Sequence, residues 1–482
     1  MFKKIENFIN SKMSEKTFAI LGVAILGIYY FVGLLSYITV PIPSINKIFV
    51  SSSITAVVIR AAMCALVCVF SCAVVIKFKV KIKWGILILF CFALLMMLIC
   101  ILISPFTYEF SYISNYYNIV SVVKLHAGLP RTLAMYLSSV ADFAFAFCLV
   151  FILPTVINDK KKLLFLVIPI VCIGLLECCY SIIKEKDLYV YLINNPDDPF
   201  GGYGHQIGAT FGNKEDWGAF LTVSFVSAFA GILFLNEFKK HWAFQILLGI
   251  SMAIFTVFSI LSLCKTAMLA ILVCLILIAI GLIVKSFYKS KKIGWILLAI
   301  SLAILILFIL FLTTGGFGIP FLSKINDFLT KFIISRAENA VESRASLWLN
   351  YMQNVRGYNL FFGMGKTNVG MYSRVLTQDS LHGMHNGFAY FFASYGLIGF
   401  AILVGLLIYS IYSILKLFSI NHFYTFAFLG ILAAGIIFVL AEAEVLIVST
   451  SAPVFMYNVL AIALPIGLIK KNEKEKLKEA IL

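Results

Sequence analysis

The chain has 482 residues, of which 62% are hydrophobic and 12% charged, with a formal net charge of +16. Soluble domains hold about 45–50% apolar and about 25% charged residues, so a soluble globular fold is excluded. A surplus of lysine and arginine on a soluble protein would suggest nucleic acid; on this chain it is read as the positive loops that set membrane topology, and no nucleic-acid partner is expected.

Residues 1–16 are charged and polar and are expected to form a cytoplasmic N-terminus. The first apolar run, 17–40, is long and no small-residue cleavage motif closes it, so it reads as a retained helix. Runs at 54–76, 85–104, 132–157 and 163–183 complete an N-terminal membrane region, 17–200. A second region, 201–469, holds runs at 217–236, 243–262, 266–285, 293–314, 387–415, 424–445 and 450–469. Each is close to the roughly 20 residues that cross a hydrocarbon layer. The expected fold is therefore all-α and polytopic, with about 12 transmembrane helices and a large outer-face loop carrying amphipathic helices.

Lysine clusters punctuate the runs with one parity. They precede the first run (Lys3, Lys4, Lys12, Lys16) and follow the second (Lys77, Lys79, Lys81, Lys83), fourth (Lys160–Lys162), sixth (Lys239, Lys240), eighth (Lys285, Lys289, Lys291, Lys292) and tenth (Lys416). The last 13 residues, 470–482, form a basic tail. All fall on the same side of an even-numbered crossing, which predicts a plasma-membrane protein with both termini in the cytoplasm. Cys64, Cys68 and Cys72 repeat every four residues and read as small residues at a helix–helix contact.

Three connections on the other side are long: 105–131, 184–216 and 315–386. Loops of that length usually carry function. In the last, Phe321, Leu322, Ile325, Phe328, Leu329 and Phe332 recur at helical spacing opposite Lys324, Asp327 and Lys331, which predicts an amphipathic helix suited to a membrane surface. A second helix is expected over Arg344 to Asn354, stopping at Arg356-Gly357. The glycine-punctuated stretch Phe362-Gly363-Met364-Gly365 follows, and the loop closes at His382 and His385.

This side gathers His205, Lys214, Lys265, Arg336, Arg344, Arg356, Lys366, Arg374, His382 and His385. Any one of them reads as a solvated surface group. Together, on the side that topology disfavours for cations, they suggest an anion site at headgroup depth, for which a lipid-linked phosphate or pyrophosphate is the natural ligand. Lys265 lies in the short link between the seventh and eighth runs, where it either reaches lipid headgroups or faces a polar cavity. His385-Asn386 opens the tenth run, where free N–H groups favour an anion or a capping side chain. Asp142, Glu177, Glu442 and Glu444 fall inside apolar runs, and pairing with Arg60, Arg131 or Lys265 is expected for them. Neither a zinc-binding His-Glu motif nor a phosphate-binding glycine loop occurs, so no metal and no cofactor are expected.

Several of these residues together resemble the O-antigen ligase and O-antigen polymerase family. The resemblance is carried by Arg344 with Trp348 four residues on, by Leu360-Phe361-Phe362-Gly363-Met364-Gly365, and by His385-Asn386 followed by Gly396-Leu397-Ile398-Gly399. Thr210-Phe211-Gly212-Asn213 and Ser262-Leu263-Cys264-Lys265 are similar to two further family segments, the second with lysine where the family usually has arginine. The likeness covers roughly residues 200–465.

The resemblance implies a glycosyltransferase that needs neither nucleotide sugar nor metal. It would join a glycan from an undecaprenyl-pyrophosphate carrier to a hydroxyl on a glycan or lipid-linked acceptor, at the outer side of the cytoplasmic membrane and among membrane lipids. It implies that Arg344 binds the pyrophosphate and that His385 contacts the reacting centre, as acceptor-activating base or as phosphate ligand. Glu215 stands where a base is available, and Lys265, Arg336, Arg356, His382, Asn386 and Trp348 are the expected substrate-binding residues. A polymerase is favoured, a ligase is the alternative within the family, and a lipid-linked oligosaccharide flippase or transporter is the alternative from another class.

Overall fold

A computed structural model describes residues 9, 11, 13–35, 54–103, 108–113, 120–125, 129–194, 207–211, 214–236, 241–330, 348, 355–365, 368–369, 386–441, 446–447 and 452–481. Helices occupy every apolar run of the sequence. They are α1 (Glu15–Leu34), α2 (Ile54–Phe78), α3 (Trp84–Ile103), α4 (Leu129–Phe147), α5 (Lys160–Lys184), α6 (Lys186–Asn194), α7 (Lys214–Leu235), α8 (Trp242–Leu261), α9 (Lys265–Lys289), α10 (Lys291–Thr313), α11 (Pro320–Leu329), α12 (Asn359–Phe362), α13 (Gly387–Lys416), α14 (His422–Ala441), α15 (Ala452–Tyr457) and α16 (Leu464–Ile481). Among the described residues ten helical stretches are long and apolar enough to cross a membrane, and α3 and α4 supply two shorter apolar ones. The all-α polytopic fold is therefore as expected. One departure among the described residues is an antiparallel hairpin, β1 (Tyr108–Ile113) with β2 (Val120–Leu125), which pairs Tyr108 with Leu125 and Ile113 with Val120 inside the first long connection.

Among the described residues, lysines of the clusters that share a parity in the sequence share a face in space. Lys474 meets Glu15 at 3.9 Å, and Lys416 meets Glu473 at 3.8 Å. Lys77 donates to the Ile9 carbonyl at 3.4 Å. Lys160 lies 4.2 Å above the Tyr424 ring and Lys285 5.3 Å above that of Phe423. These contacts join the start of α1, the end of α2, the start of α5, the end of α9, the α13–α14 corner and α16. The segment read as a basic tail continues α16 as helix to Ile481.

Helix α7 forms the centre. Nearly all of its residues from Trp217 to Leu235 are buried, against α5, α8, α9 and α15. Small residues admit this packing: a Cβ on Gly174 of α5 would lie 2.6 Å from the Ser224 hydroxyl and 2.9 Å from the Phe255 ring. At the other extreme α10 packs on α9 and buries only Gly294, so its apolar surface is the kind that faces lipid. Along α2 the cysteine stripe meets α4 at one end only: Cys64 is buried and donates to the Ala141 carbonyl at 3.2 Å, whereas Cys72 is exposed.

Two of the helices lose regular geometry inside the bundle. α4 passes through a π-turn, Cys148–Ile152, and a 3₁₀ turn, Leu153–Thr155. Its loosened carbonyls are met by α16: Lys470 donates to Phe151 at 3.1 Å, and a Cβ at Gly467 would lie 2.6 Å from the carbonyl oxygens of both Pro154 and Ile157. α15 leads into a second π-segment, Asn458–Ala463, where the Asn458 side chain accepts from the Ile447 amide at 2.8 Å. A π-turn leaves backbone groups out of the regular ladder, and Lys470 replaces a bond that the hydrocarbon phase cannot supply; Asn458 does so for the amide of Ile447, which lies in a turn outside the helices.

Gly174→Val is expected to destabilise the protein by about 1–3 kcal/mol through overpacking. Gly249→Ala in α8, with nothing within 4 Å of the added methyl, is expected to be neutral or stabilising by up to ~1 kcal/mol. Thermal unfolding in detergent measures both.

Candidate functional site

At the end of the bundle opposite the lysine-rich face the described residues form two groupings. The first is built on a break in α13. Gly396 has φ 65° and ψ −167°, which no helix contains, so the carbonyls just before it lose their amide partners four residues on. Loop residues from the 315–386 connection replace them. Met364 N–H donates to the Ala393 carbonyl at 2.8 Å, and Gly365 N–H to that of Ser394 at 3.2 Å. The short helix α12 ends at Gly363 with φ 79°, its N–H bonded to the Asn359 carbonyl at 2.8 Å, as a left-handed cap.

The approach is so close that a Cβ on Gly363 would collide with the Ser394 carbonyl and one on Gly396 with the Phe361 carbonyl. The two glycine motifs are thus the two halves of one backbone-on-backbone contact. Around it Met364 and Val369 are fully buried, and Asn368 donates to the Met364 carbonyl at 2.9 Å. Tyr395 of α13 donates its hydroxyl to Ser139 of α4 at 2.9 Å and stands edge-on to Phe143.

Asn386 caps α13: its side-chain oxygen accepts from Ala389 N–H at 3.0 Å, and the residue is buried. The asparagine at the helix start therefore has a structural task, with its oxygen committed to the cap. Arg356 is exposed just ahead of α12 and its carbonyl accepts from Asn359 N–H at 3.2 Å. Trp348 is helical and half-buried. His385, Arg344, Arg336 and His382 lie outside the described residues, as do His205, Lys366 and Arg374.

The second grouping joins α5, α7 and the α8–α9 turn. A Cβ on Gly218 would lie 2.5 Å from the Cys264 sulfur, so the turn before Lys265 rests directly on the start of α7. Leu263 takes φ 58° in that turn, and the Ser262 hydroxyl accepts from Cys264 N–H at 3.3 Å. Lys265 is half-buried at the first position of α9. Glu215, three residues before Gly218, is brought to the same end. It pairs with Lys214 at 3.9 Å with 37% of its side chain exposed, a distance and exposure at which an ion pair holds little energy and the carboxylate stays accessible.

Glu177 is tied to a loop. Its carboxylate accepts from the Thr210 hydroxyl at 2.8 Å, which ties α5 to the loop over 207–211. Glu185, one residue past α5, accepts from the backbone N–H groups of Gly208 and Ala209 at 3.0 and 3.1 Å and from the Ser181 hydroxyl at 2.7 Å. Ser181 also meets the Tyr189 hydroxyl of α6 at 2.6 Å, and burial pushes that phenol well above its usual range, so it stays protonated. Sequence reading missed Glu185 and α6 because a carboxylate at a helix end, in a loop rich in polar residues, carries no local signal of a distant partner.

Residues 250–404 match the family model described as O-Antigen ligase. Those residues form a domain of the O-antigen ligase family. The match runs from the middle of α8, through the Lys265 turn and the long loop, to the helix break at Gly396 and its flanking turn. It is narrower than the 200–465 expected, and leaves out the 207–211 loop and Glu185. No curated protein matches the chain. The matched domain supports glycan transfer of the ligase and polymerase type in general, and the many apolar helices make the chain a multi-pass membrane protein.

Gly363→Ala and Gly396→Ala are each expected to cost on the order of 2–5 kcal/mol, since each adds a left-handed penalty to a clash with backbone that has no room to yield. Thermal midpoints and folded yield check this, with Gly405→Ala, which meets nothing within 4 Å, as the control.

Proposed function

We propose that the O-antigen ligase domain joins glycan units from an undecaprenyl-pyrophosphate carrier to a hydroxyl acceptor at the outer side of a bacterial cytoplasmic membrane, as a polysaccharide polymerase. The observation that carries this reading is the family match across residues 250–404, which spans Arg344, Trp348, the Gly363–Gly396 contact and His385-Asn386 together. In this orientation the lysine-rich face is cytoplasmic, with both termini on it, as the distribution of positive residues favours. The 201–469 region is the catalytic part and the 315–386 loop its outer-face component.

The donor carries its own leaving group, so two tasks fall to the protein. As the glycosidic bond to the pyrophosphate breaks, negative charge grows on the departing phosphate. Arg344, together with Arg336, Arg356, Lys265 and His382, is assigned the task of stabilising that charge, and fixed cations in a water-poor site do so without reorganising. The attacking hydroxyl must also lose a proton, and His385 and Glu215 are the groups with the chemistry to take it. Trp348 completes the substrate-binding surface, and Asn386, as the cap of α13, holds the helix start next to His385. Lysine at position 265 keeps the charge of the arginine usual in the family without its two-pronged geometry, which makes it an electrostatic contact and not a fixed clamp.

A ligase handing a finished chain to a lipid, protein or wall acceptor is the second reading, favoured by the description of the matched family itself. Purified protein supplied with undecaprenyl-pyrophosphate oligosaccharide separates them. A ladder of products is expected for the polymerase. A single addition to a different acceptor supports the ligase, and passage across vesicles without a new bond supports a flippase. Arg344→Ala and His385→Ala should each lower transfer by about a hundredfold, on the order of 3 kcal/mol in barrier, in inserted and folded protein. Full activity in either variant removes that residue from the site.

A further inference from the structure

The 207–211 loop is held in a conformation it would not choose. Ala209 has φ 48°, a left-handed value that costs an alanine side chain but not a glycine, and it is fully buried. A bond from Phe211 N–H to the Gly208 carbonyl at 2.8 Å closes the turn. What forces it shut comes from α5. Glu185 receives both Gly208 and Ala209 N–H on one carboxylate oxygen, and its other oxygen holds Ser181 while lying 3.3 Å from Ala209 N. Lys184, its neighbour in sequence, donates to the Ala209 carbonyl at 2.5 Å. Two adjacent residues of opposite charge thus grip the N–H and the C=O of one strained residue.

The grip is passed on toward the start of α7. Phe211 stacks on Trp217 at 5.7 Å between ring centroids and packs on Phe220 at 5.0 Å. Trp217 is 0% exposed and lies two residues after Glu215, and the next residue, Gly218, is the seat of the turn bearing Lys265. We infer that Glu185 is a positioning residue for glycan transfer: by clamping Gly208 and Ala209 it fixes the loop and, through Phe211 and Trp217, sets where Glu215 and Lys265 stand. The inference rests on the proposed transfer reaction and adds a residue that lies outside the matched family domain. A purely structural carboxylate at the end of α5 would support folding alone; the positioning role makes the turnover step depend on it.

Glu185→Gln keeps the size of the side chain but replaces charge-assisted bonds by an amide whose NH₂ opposes backbone donors. Transfer turnover (kcat) is expected to fall about ten- to a hundredfold while KM for the undecaprenyl-pyrophosphate donor changes by less than about twofold. Adding Ala209→Gly to Glu185→Gln is expected to recover turnover by about fivefold or more, because glycine takes the left-handed conformation without a clamp. Asp187→Asn, an exposed carboxylate two residues on, removes the same charge and is expected to leave turnover unchanged. Wild-type turnover in Glu185→Gln overturns the inference, and so does a loss that Asp187→Asn reproduces or that Ala209→Gly leaves untouched. If wild-type protein transfers no glycan, the proposed reaction has failed, and hydrogen exchange still decides the clamp. Protection of the 207–211 amides should then fall about tenfold in Glu185→Gln, and unchanged protection overturns it.

Discussion

Inside a bilayer no water stands ready to take a freed amide or carbonyl, so a helix may break only where another part of the protein arrives to bond it. The architecture turns on that constraint. α13 breaks at Gly396, and the amides of Met364 and Gly365 from the long loop take the carbonyls of Ala393 and Ser394. The loop is thereby hooked into a membrane helix by its backbone, close to where the helix begins at Asn386. The same rule explains Lys470 on the Phe151 carbonyl, where a π-turn interrupts α4, and Asn458 on the amide of Ile447, a turn residue outside the helices. The hook differs from these two in what it anchors: the connection that bears Arg344 and His385.

Much of this was legible in the sequence. Twelve apolar runs became twelve helices or helical stretches because the length needed to cross a bilayer is a strong and local signal. The lysine parity became one lysine-rich face because charge on loops is likewise local. The amphipathic spacing after residue 320 became α11. Burial order was not legible. α7 and α10 are both apolar, yet α7 is almost wholly enclosed and α10 almost wholly bare, since in a membrane core and lipid surface favour the same residue types. Glycine carries that information only in part: Gly174, Gly218 and Gly281 mark close contacts, whereas Gly249 and Gly405 mark none.

The candidate site shows the same division. Both glycine motifs could be read, but that they touch each other could not, because backbone-to-backbone pairing over more than thirty residues leaves no pattern in either segment. Asn386 was read as a ligand or a cap and is seen as a cap. That the Glu177 carboxylate accepts from the Thr210 hydroxyl could not be read either. The 207–211 loop, read only for its likeness to a family segment, is bonded by Glu177, Lys184 and Glu185 of the α5 end. Its carboxylate partner carried no sequence signal, for the bond depends on α5 and the loop meeting in space.

The central claim is that the hooked loop and the lysine clusters lie on opposite sides of the membrane, with the loop outside. Thiol labelling tests it most directly. In protein whose 11 native cysteines are replaced, single cysteines at Tyr358, exposed beside the hook, and at Lys471, exposed on α16, can be probed with a membrane-impermeant maleimide. The account predicts that position 358 labels in intact cells and position 471 only after the membrane is opened; labelling at 358 only after opening would contradict it.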